Sequence, residues 1–130
     1  MAEMRRLVFG EGLMTPSLDG EKRFTVRKYR EGSHDFKKGE IVIGEFKDGL
    51  DILIQITADT KKNSFEHLKR SKRDLDKNGY WFDDEYFEDL KQFPGYQNLT
   101  WDTMGAVIFF EVLKINGVPA VRINQHAKEE

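Results

Sequence analysis

The sequence predicts an α+β domain: a small closed β-barrel of about five to seven short strands, with two to three helices packed on it. Three observations carry that expectation. Short β-branched or aromatic runs cluster at both ends of the chain, Asp-Gly and Asn-Gly pairs stand where hairpins would turn, and helix-forming stretches fall between them. The chain of 130 residues fits one domain by size, large enough to bury about two-thirds of its unfolded surface. Hydrophobic residues make up 38% and charged residues 34%, a globular balance, and the 10 phenylalanines predict an aromatic-rich core.

Leu7-Val8-Phe9 predicts a short first strand. Gly12 to Leu18 follows as a helical turn disturbed by Pro16 and closing at Gly20. Phe24 and Val26 are two apart, as are Thr25 and Arg27, so an extended strand sends the first pair to one face and the second pair to the other. Lys22 is out of step with that alternation and reaches Thr25 only from the Asp19-Gly20 turn before the strand. Lys37-Lys38-Gly39-Glu40 turns into the β-branched strand Ile41 to Phe46. Asp48-Gly49 then leads to Leu50 to Thr57, a hairpin signal because both residues tolerate the positive φ of a type I′ turn.

Ser64 is placed to cap a helix running to about Asp76, with Glu66 in its first turn and Phe65, Leu68 and Leu75 as a partial apolar stripe. Asn78-Gly79 ends it. Asp83 or Asp84 caps a second helix through Lys91, which Pro94-Gly95 terminates. Ala106 to Ile115, Asn116-Gly117 and Val118 to Ile123 form a second hairpin, with Pro119 suited to an edge, and residues from about Gln125 form a frayed polar tail.

Cysteine is absent, which excludes disulfides, thiolate metal sites and cysteine nucleophiles and fits a reducing compartment. No segment approaches the roughly 18 apolar residues of a membrane span, so the expected location is cytoplasmic, away from membranes. His34, His67 and His126 stand far apart and off metal-ligand intervals, so no metal is assigned. No phosphate-binding glycine loop, serine elbow or dinucleotide fingerprint occurs, so no cofactor is expected.

The net charge of −2 argues against a uniformly basic nucleic-acid surface, yet the charges are segregated. Seven basic residues stand against three acidic ones from Lys61 to Lys77, whereas Asp83 to Asp89 holds five acids and no base. The basic helix reads first as a solvated face and second as a phosphate track. The acids suit a helix N-terminus. Tyr80, Trp81, Phe82, Tyr96 and Trp101 read first as a satellite cluster packing helices onto the barrel, second as platforms for unpaired bases. Trp101, flanked by Thr100, Asp102 and Thr103, is the best stacking candidate.

Polar chemistry concentrates in Gly20-Glu21-Lys22-Arg23-Phe24-Thr25-Val26-Arg27. The spacing Gly20-x-Lys22-x-x-Thr25-x-Arg27, followed by Phe36-Lys37-Lys38-Gly39-Glu40 and a β-branched strand, resembles the ASCH domain family of PUA-like barrels. The resemblance is specific over residues 20–46 and looser onward to Phe109-Phe110-Glu111-Val112. Glu40 replaces the family's aspartate, and Ser64 to Thr103 is long and aromatic for the family.

The resemblance implies a single PUA-like domain over residues 1–130, with a cleft that takes RNA or a modified nucleoside. Some small members resemble amidohydrolases that remove the acyl group from N(4)-acetylcytidine. It further implies that Lys22 and Thr25 act with a carboxylate from the helical region. Spacing leaves Asp83, Asp84 and Glu85 open, and counting back from Asp89-Leu90-Lys91 favours Asp83. In that chemistry Lys22, held partly neutral, takes the Thr25 proton, Arg27 holds an anion or stabilises an oxyanion, and the acid passes a proton to the leaving amine. Arg27, Arg23 and Trp101 are the ligand-binding candidates. The alternatives are a non-catalytic single-stranded RNA-binding module, a protein-interaction domain with an exposed aromatic patch, and a plain solvated strand face at Lys22, Arg23 and Arg27.

Overall fold

A computed structural model describes residues 4–10, 14–47, 49–77 and 79–123. Among them lie eight strands and three short helices, an α+β composition: β1 (Arg6–Phe9), α1 (Met14–Leu18), β2 (Phe24–Lys28), β3 (Ile41–Phe46), β4 (Leu50–Ser64), α2 (Phe65–Leu68), α3 (Asp84–Leu90), β5 (Met104–Val112), β6 (Lys114–Ile115), β7 (Val118–Pro119) and β8 (Val121–Ile123). The hydrogen-bonded order of the main sheet is β1-β3-β4-β5-β2, with β8 on β4, while β6 and β7 pair separately. Two compact units divide the chain, and the long strands β4 and β5 contribute residues to both.

The first unit comprises Met1–Arg23, Lys37–Ala58 and Phe110–Glu130. Strand alternation builds its core: Leu7, Phe9, Val42, Phe46, Ile52, Ile54 and Ile56 are all buried. β1 runs parallel to β3, setting Phe9 opposite Phe46, and their rings stack 4.5 Å apart. Gly44 lies in β3 because a Cβ there would come within 3.0 Å of the Phe46 ring and 3.1 Å of the Ile52 carbonyl oxygen. β4 returns antiparallel from a turn in which Gly49 holds φ 110° and donates its N–H to the Phe46 carbonyl at 3.0 Å. Asp48, the other residue of the expected hairpin turn, lies outside the described residues, as do Gly12, Asn78 and the expected tail.

The Lys37-to-Glu40 turn forms as its sequence suggests. Glu40 N–H donates to the Lys37 carbonyl at 3.0 Å, and the Glu40 carboxylate accepts the Lys37 N–H at 3.4 Å and pairs with Arg5 at 3.5 Å. The longer side chain at position 40 therefore still closes the turn. The C-terminal hairpin is more broken than expected. Asn116 (φ 53°) and Gly117 (φ 79°) make the left-handed turn between β6 and β7, and Ala120 N–H still donates to the Leu113 carbonyl at 3.2 Å, while Leu53 on β4 bonds to both residues. Its N–H donates to the Ala120 carbonyl at 3.0 Å and its carbonyl accepts from Leu113 at 2.9 Å, which brings β8 onto β4.

The second unit comprises Phe24–Phe36 and Asp59–Phe109, with β2 antiparallel to β5. Here one expected element is corrected. The helix anticipated from Ser64 to about Asp76 is only Phe65–Leu68, and β4 continues to Ser64 instead of ending near Thr57. Ser64 Oγ pairs with His67 Nδ1 at 2.7 Å and makes no cap bond, so the first helical N–H groups go to the Thr103 and Trp101 carbonyls. At the other end the Leu68 carbonyl accepts the Tyr80 hydroxyl, and Arg70 and Phe82 exchange backbone bonds at 2.8 and 2.9 Å. Phe65 and Leu68 are buried, whereas Leu75 is 51% exposed, so the third member of the stripe has no core to enter. The basic segment is consequently no single helix: Lys61 and Lys62 lie on β4, and Lys69 to Lys77 follow α2 in turns.

The second helix follows its sequence signals closely. Asp83 is the N-cap of α3, its Oδ1 accepting the Tyr86 N–H at 3.0 Å, and Phe87 and Leu90 are buried. Tyr80, Phe82 and Trp101 join the aromatic packing of this unit, with Trp101 stacked 3.9 Å from Phe87.

Candidate functional site

Strand alternation on β2 places Thr25 and Arg27 on the same side, and Arg27 Nε reaches Thr25 Oγ1 at 3.4 Å. Thr25 is 6% exposed and stands opposite Ile108 of β5. Burial pushes the Arg27 guanidinium below its ordinary pKa, and Tyr96 and Tyr86 act in the opposite direction. Burial also pushes the Tyr86 phenol up to about 12, against the Val26 backbone N–H and Arg27. At neutral pH Tyr86 is therefore a protonated phenol beside a cation. The Tyr96 hydroxyl accepts the Lys28 N–H at 3.1 Å, which fixes the second phenol to the end of the same strand.

A loop holds His34 near this group. Thr60 on β4 accepts the Phe36 N–H at 2.9 Å and donates to the His34 carbonyl at 2.6 Å. Tyr29 donates to Asp35 at 2.7 Å, and Lys62 donates to the same carboxylate at 3.2 Å. The imidazole Nδ1 accepts the Arg30 N–H at 3.1 Å. Burial first, then Arg27 and Arg30, push His34 down to about 4, so the ring is neutral under ordinary conditions. A half-buried guanidinium with a hydroxyl, two phenols and a neutral imidazole around it suits a ligand rich in oxygen acceptors.

Each of the other expected site residues has its own setting within its unit. Lys22 is half-buried just ahead of β2, its N–H on the Pro16 carbonyl at 3.0 Å after the Gly20 turn (φ 79°). It lines a cavity of about 450 Å³ in the first unit, with Asp19, Arg23, Gln55, Glu111 and Lys114. Arg23 is exposed, and its carbonyl accepts the Phe110 N–H at 3.0 Å. Asp83 lines a cavity of about 480 Å³ in the second unit with Lys69, Arg70, Asp84 and Glu85, and its Oδ1 caps α3. Asp84 pairs with Lys69 at 3.2 Å. The acids that share the Lys22 cavity are thus Asp19 and Glu111. Trp101 is half-buried, stacked on Phe87, with the Lys69 ammonium 4.4 Å from its ring centre.

Sequence reasoning finds Thr25 and Arg27 together and misses His34 and Tyr86 as their companions. It lists Tyr96 only among loop aromatics. No spacing rule links these positions to β2, since each arrives through tertiary packing. Among the described residues no group of three or more His, Asp or Glu side chains is arranged to hold a metal ion, and no helix is long and apolar enough to cross a membrane.

No family model matches the chain, and no curated protein matches it. Among solved structures, the crystal structure of protein EF3133 from Enterococcus faecalis V583 (family-model DUF984) is similar, with a TM-score of 0.57 and 18% identity over 87% of this chain and 82% of that one. At that identity the likeness is one of fold alone.

Proposed function

We propose that this chain is a PUA-like ASCH domain that binds RNA or a modified nucleoside through Arg27, in the cytoplasm. The observation that carries the reading is the burial of the Arg27 guanidinium beside Thr25, Tyr86 and Tyr96. A half-buried cation gains from an anionic or carbonyl-rich ligand, because charge-assisted hydrogen bonds strengthen as solvent is excluded on binding. The half-buried Tyr96 ring adds a flat surface on which a base can stack. Lys61, Lys69, Arg70, Lys72 and Arg73 supply further positive charge for a phosphate backbone, though from a strand and turns rather than a helix.

Hydrolysis of N(4)-acetylcytidine is the second reading, favoured by the contact from Arg27 Nε to Thr25 Oγ1. A cation donating to a hydroxyl oxygen stabilises the alkoxide that would attack an acyl carbon. The experiment separates the two readings. Binding of a short single-stranded RNA is followed by fluorescence anisotropy across a salt series, and cytidine release from N(4)-acetylcytidine is followed by chromatography. The binding reading expects affinity to fall steeply with salt, and a flat dependence removes phosphate contact from it. Cytidine release that disappears in Thr25→Ala or Lys22→Ala supports catalysis; absence of cytidine at high protein concentration leaves a binding module. Loss of both activities together with binding to a protein would favour an interaction domain.

A further inference from the structure

Asp51 is a buried carboxylate on the strand face that alternation assigns to solvent. Ile52, Ile54 and Ile56 of β4 enter the core of the first unit, which puts Asp51 and Leu53 on the opposite face, yet Asp51 is only 4% exposed. Its Oδ2 accepts from Arg6 Nη1 at 3.1 Å and from Arg122 Nε at 3.4 Å, and Arg122 Nη2 forms an ion pair with it at 3.3 Å. Its Oδ1 is buried with no hydrogen-bond partner among the described residues. The register explains the gathering: Arg122 on β8 stands opposite Asp51, and Arg6 on β1 stands opposite Ile43 of β3. Arg6, Asp51 and Arg122 line a cavity of about 640 Å³ whose remaining walls are largely apolar, including Ile43, Leu53 and Val121.

We infer that this cavity is a binding site for a small organic anion, a carboxylate carried on an apolar body. A guanidinium offers five N–H donors on three nitrogens. Arg6 commits one nitrogen, Nη1, shared between Glu45 at 2.8 Å and Asp51, and Arg122 commits Nε and Nη2 to Asp51. Arg6 Nη2 and Arg122 Nη1 therefore keep donors that bond to nothing among the described residues. The two side chains remain 34% and 64% exposed, so an incoming ligand can reach them.

A carboxylate buried only for stability would be expected to satisfy both oxygens, and Asp51 leaves one orphaned. What its placement does achieve is to hold two guanidinium forks at one end of an apolar cavity. Glu45 and Asp51 together balance the two guanidinium charges, so an anion is favoured by the donors left on Arg6 Nη2 and Arg122 Nη1, whose planar forks suit a carboxylate. The walls at Ile43, Leu53 and Val121 favour an aliphatic or aromatic body, and the volume falls within the about 300–1,000 Å³ usual for small-molecule sites. The inference stands independently of the reading of Arg27.

The probe is 4-phenylbutyrate, with its uncharged amide as control. Binding is measured by calorimetry and by the methyl resonances of Leu53 and Val121. The acid is expected to bind and shift both methyl groups, with the amide weaker by about tenfold or more. Arg122→Gln should bring the acid down to the level of the amide and leave the amide unchanged. Should that variant fail to fold, Val121→Asp at a half-exposed position is expected to abolish acid binding by repulsion. Unmoved methyl resonances up to the solubility limit, equal binding of acid and amide, or undiminished binding of the acid by a folded Arg122→Gln would each overturn the proposal.

Discussion

Replacing Gly105 by alanine tests the packing that cuts α2 to a single turn. Gly105 lies on β5 beneath α2, and a Cβ there would stand 2.6 and 2.8 Å from two carbons of the Phe65 ring and 2.9 Å from a Leu68 methyl. Phe65 and Leu68 are both buried, and Phe65 is backed by Phe82 at 5.6 Å and Phe87 at 5.7 Å, so its ring has little room to withdraw. Forcing one methyl into such a site costs about 1–3 kcal/mol. The narrower unfolded ensemble of alanine offsets about 0.4–1 kcal/mol of this. The net expectation is a loss of about 1–2 kcal/mol, a drop of about 3–10 °C in the midpoint for a chain of this size. Trp101, stacked on Phe87, reports this unit directly in a urea titration followed by fluorescence. A Gly105→Ala variant as stable as the parent would show that α2 is not seated on β5 as described.

Asp83→Ala removes the acceptor of the Tyr86 N–H and should cost about 0.5–2 kcal/mol, seen as a lower urea midpoint; unchanged stability would mean another group closes α3. His34 should titrate near pH 4 in the folded protein, against an ordinary value of 6.5. As pH falls the unfolded chain takes up this proton first, so the stabilising contribution of neutral His34 is complete above about pH 6.5 and is lost on descent toward about pH 4. Imidazole proton resonances followed against pH provide the check, and a midpoint near 6.5 would refute the buried, cation-flanked setting.

Signals confined to a few neighbouring residues were legible in the chain. Asn116-Gly117 announces the β6–β7 turn because both residues adopt positive φ, and Asp83 announces α3 because its side chain caps the helix two turns before Lys91. The shared side of Thr25 and Arg27 follows from strand geometry alone. What depended on distant partners was not legible. Ser64 and Phe65-x-x-Leu68 resemble a helix start, and only Gly105, Tyr80 and the Arg70–Phe82 bridge reveal why the helix stops at Leu68. Asp51 is an ordinary member of the Leu50-to-Thr57 strand until β8 brings Arg122 across from it. The neighbours of Arg27 come from a loop, a helix and the segment after Pro94-Gly95, which no local pattern connects to β2.

Arg27 as the anchor for an RNA ligand is best tested by observing its own side chain. In a protein labelled with nitrogen-15, the Arg27 Nε–H resonance is followed while a short single-stranded oligoribonucleotide is added, and the same titration is repeated with Arg27→Gln. The resonance should move with saturation, and the variant should bind about tenfold or more weakly while keeping its fold. An Arg27 resonance that stays in place when the RNA is bound, or a folded Arg27→Gln that binds as tightly as the parent, would contradict the role given to this residue.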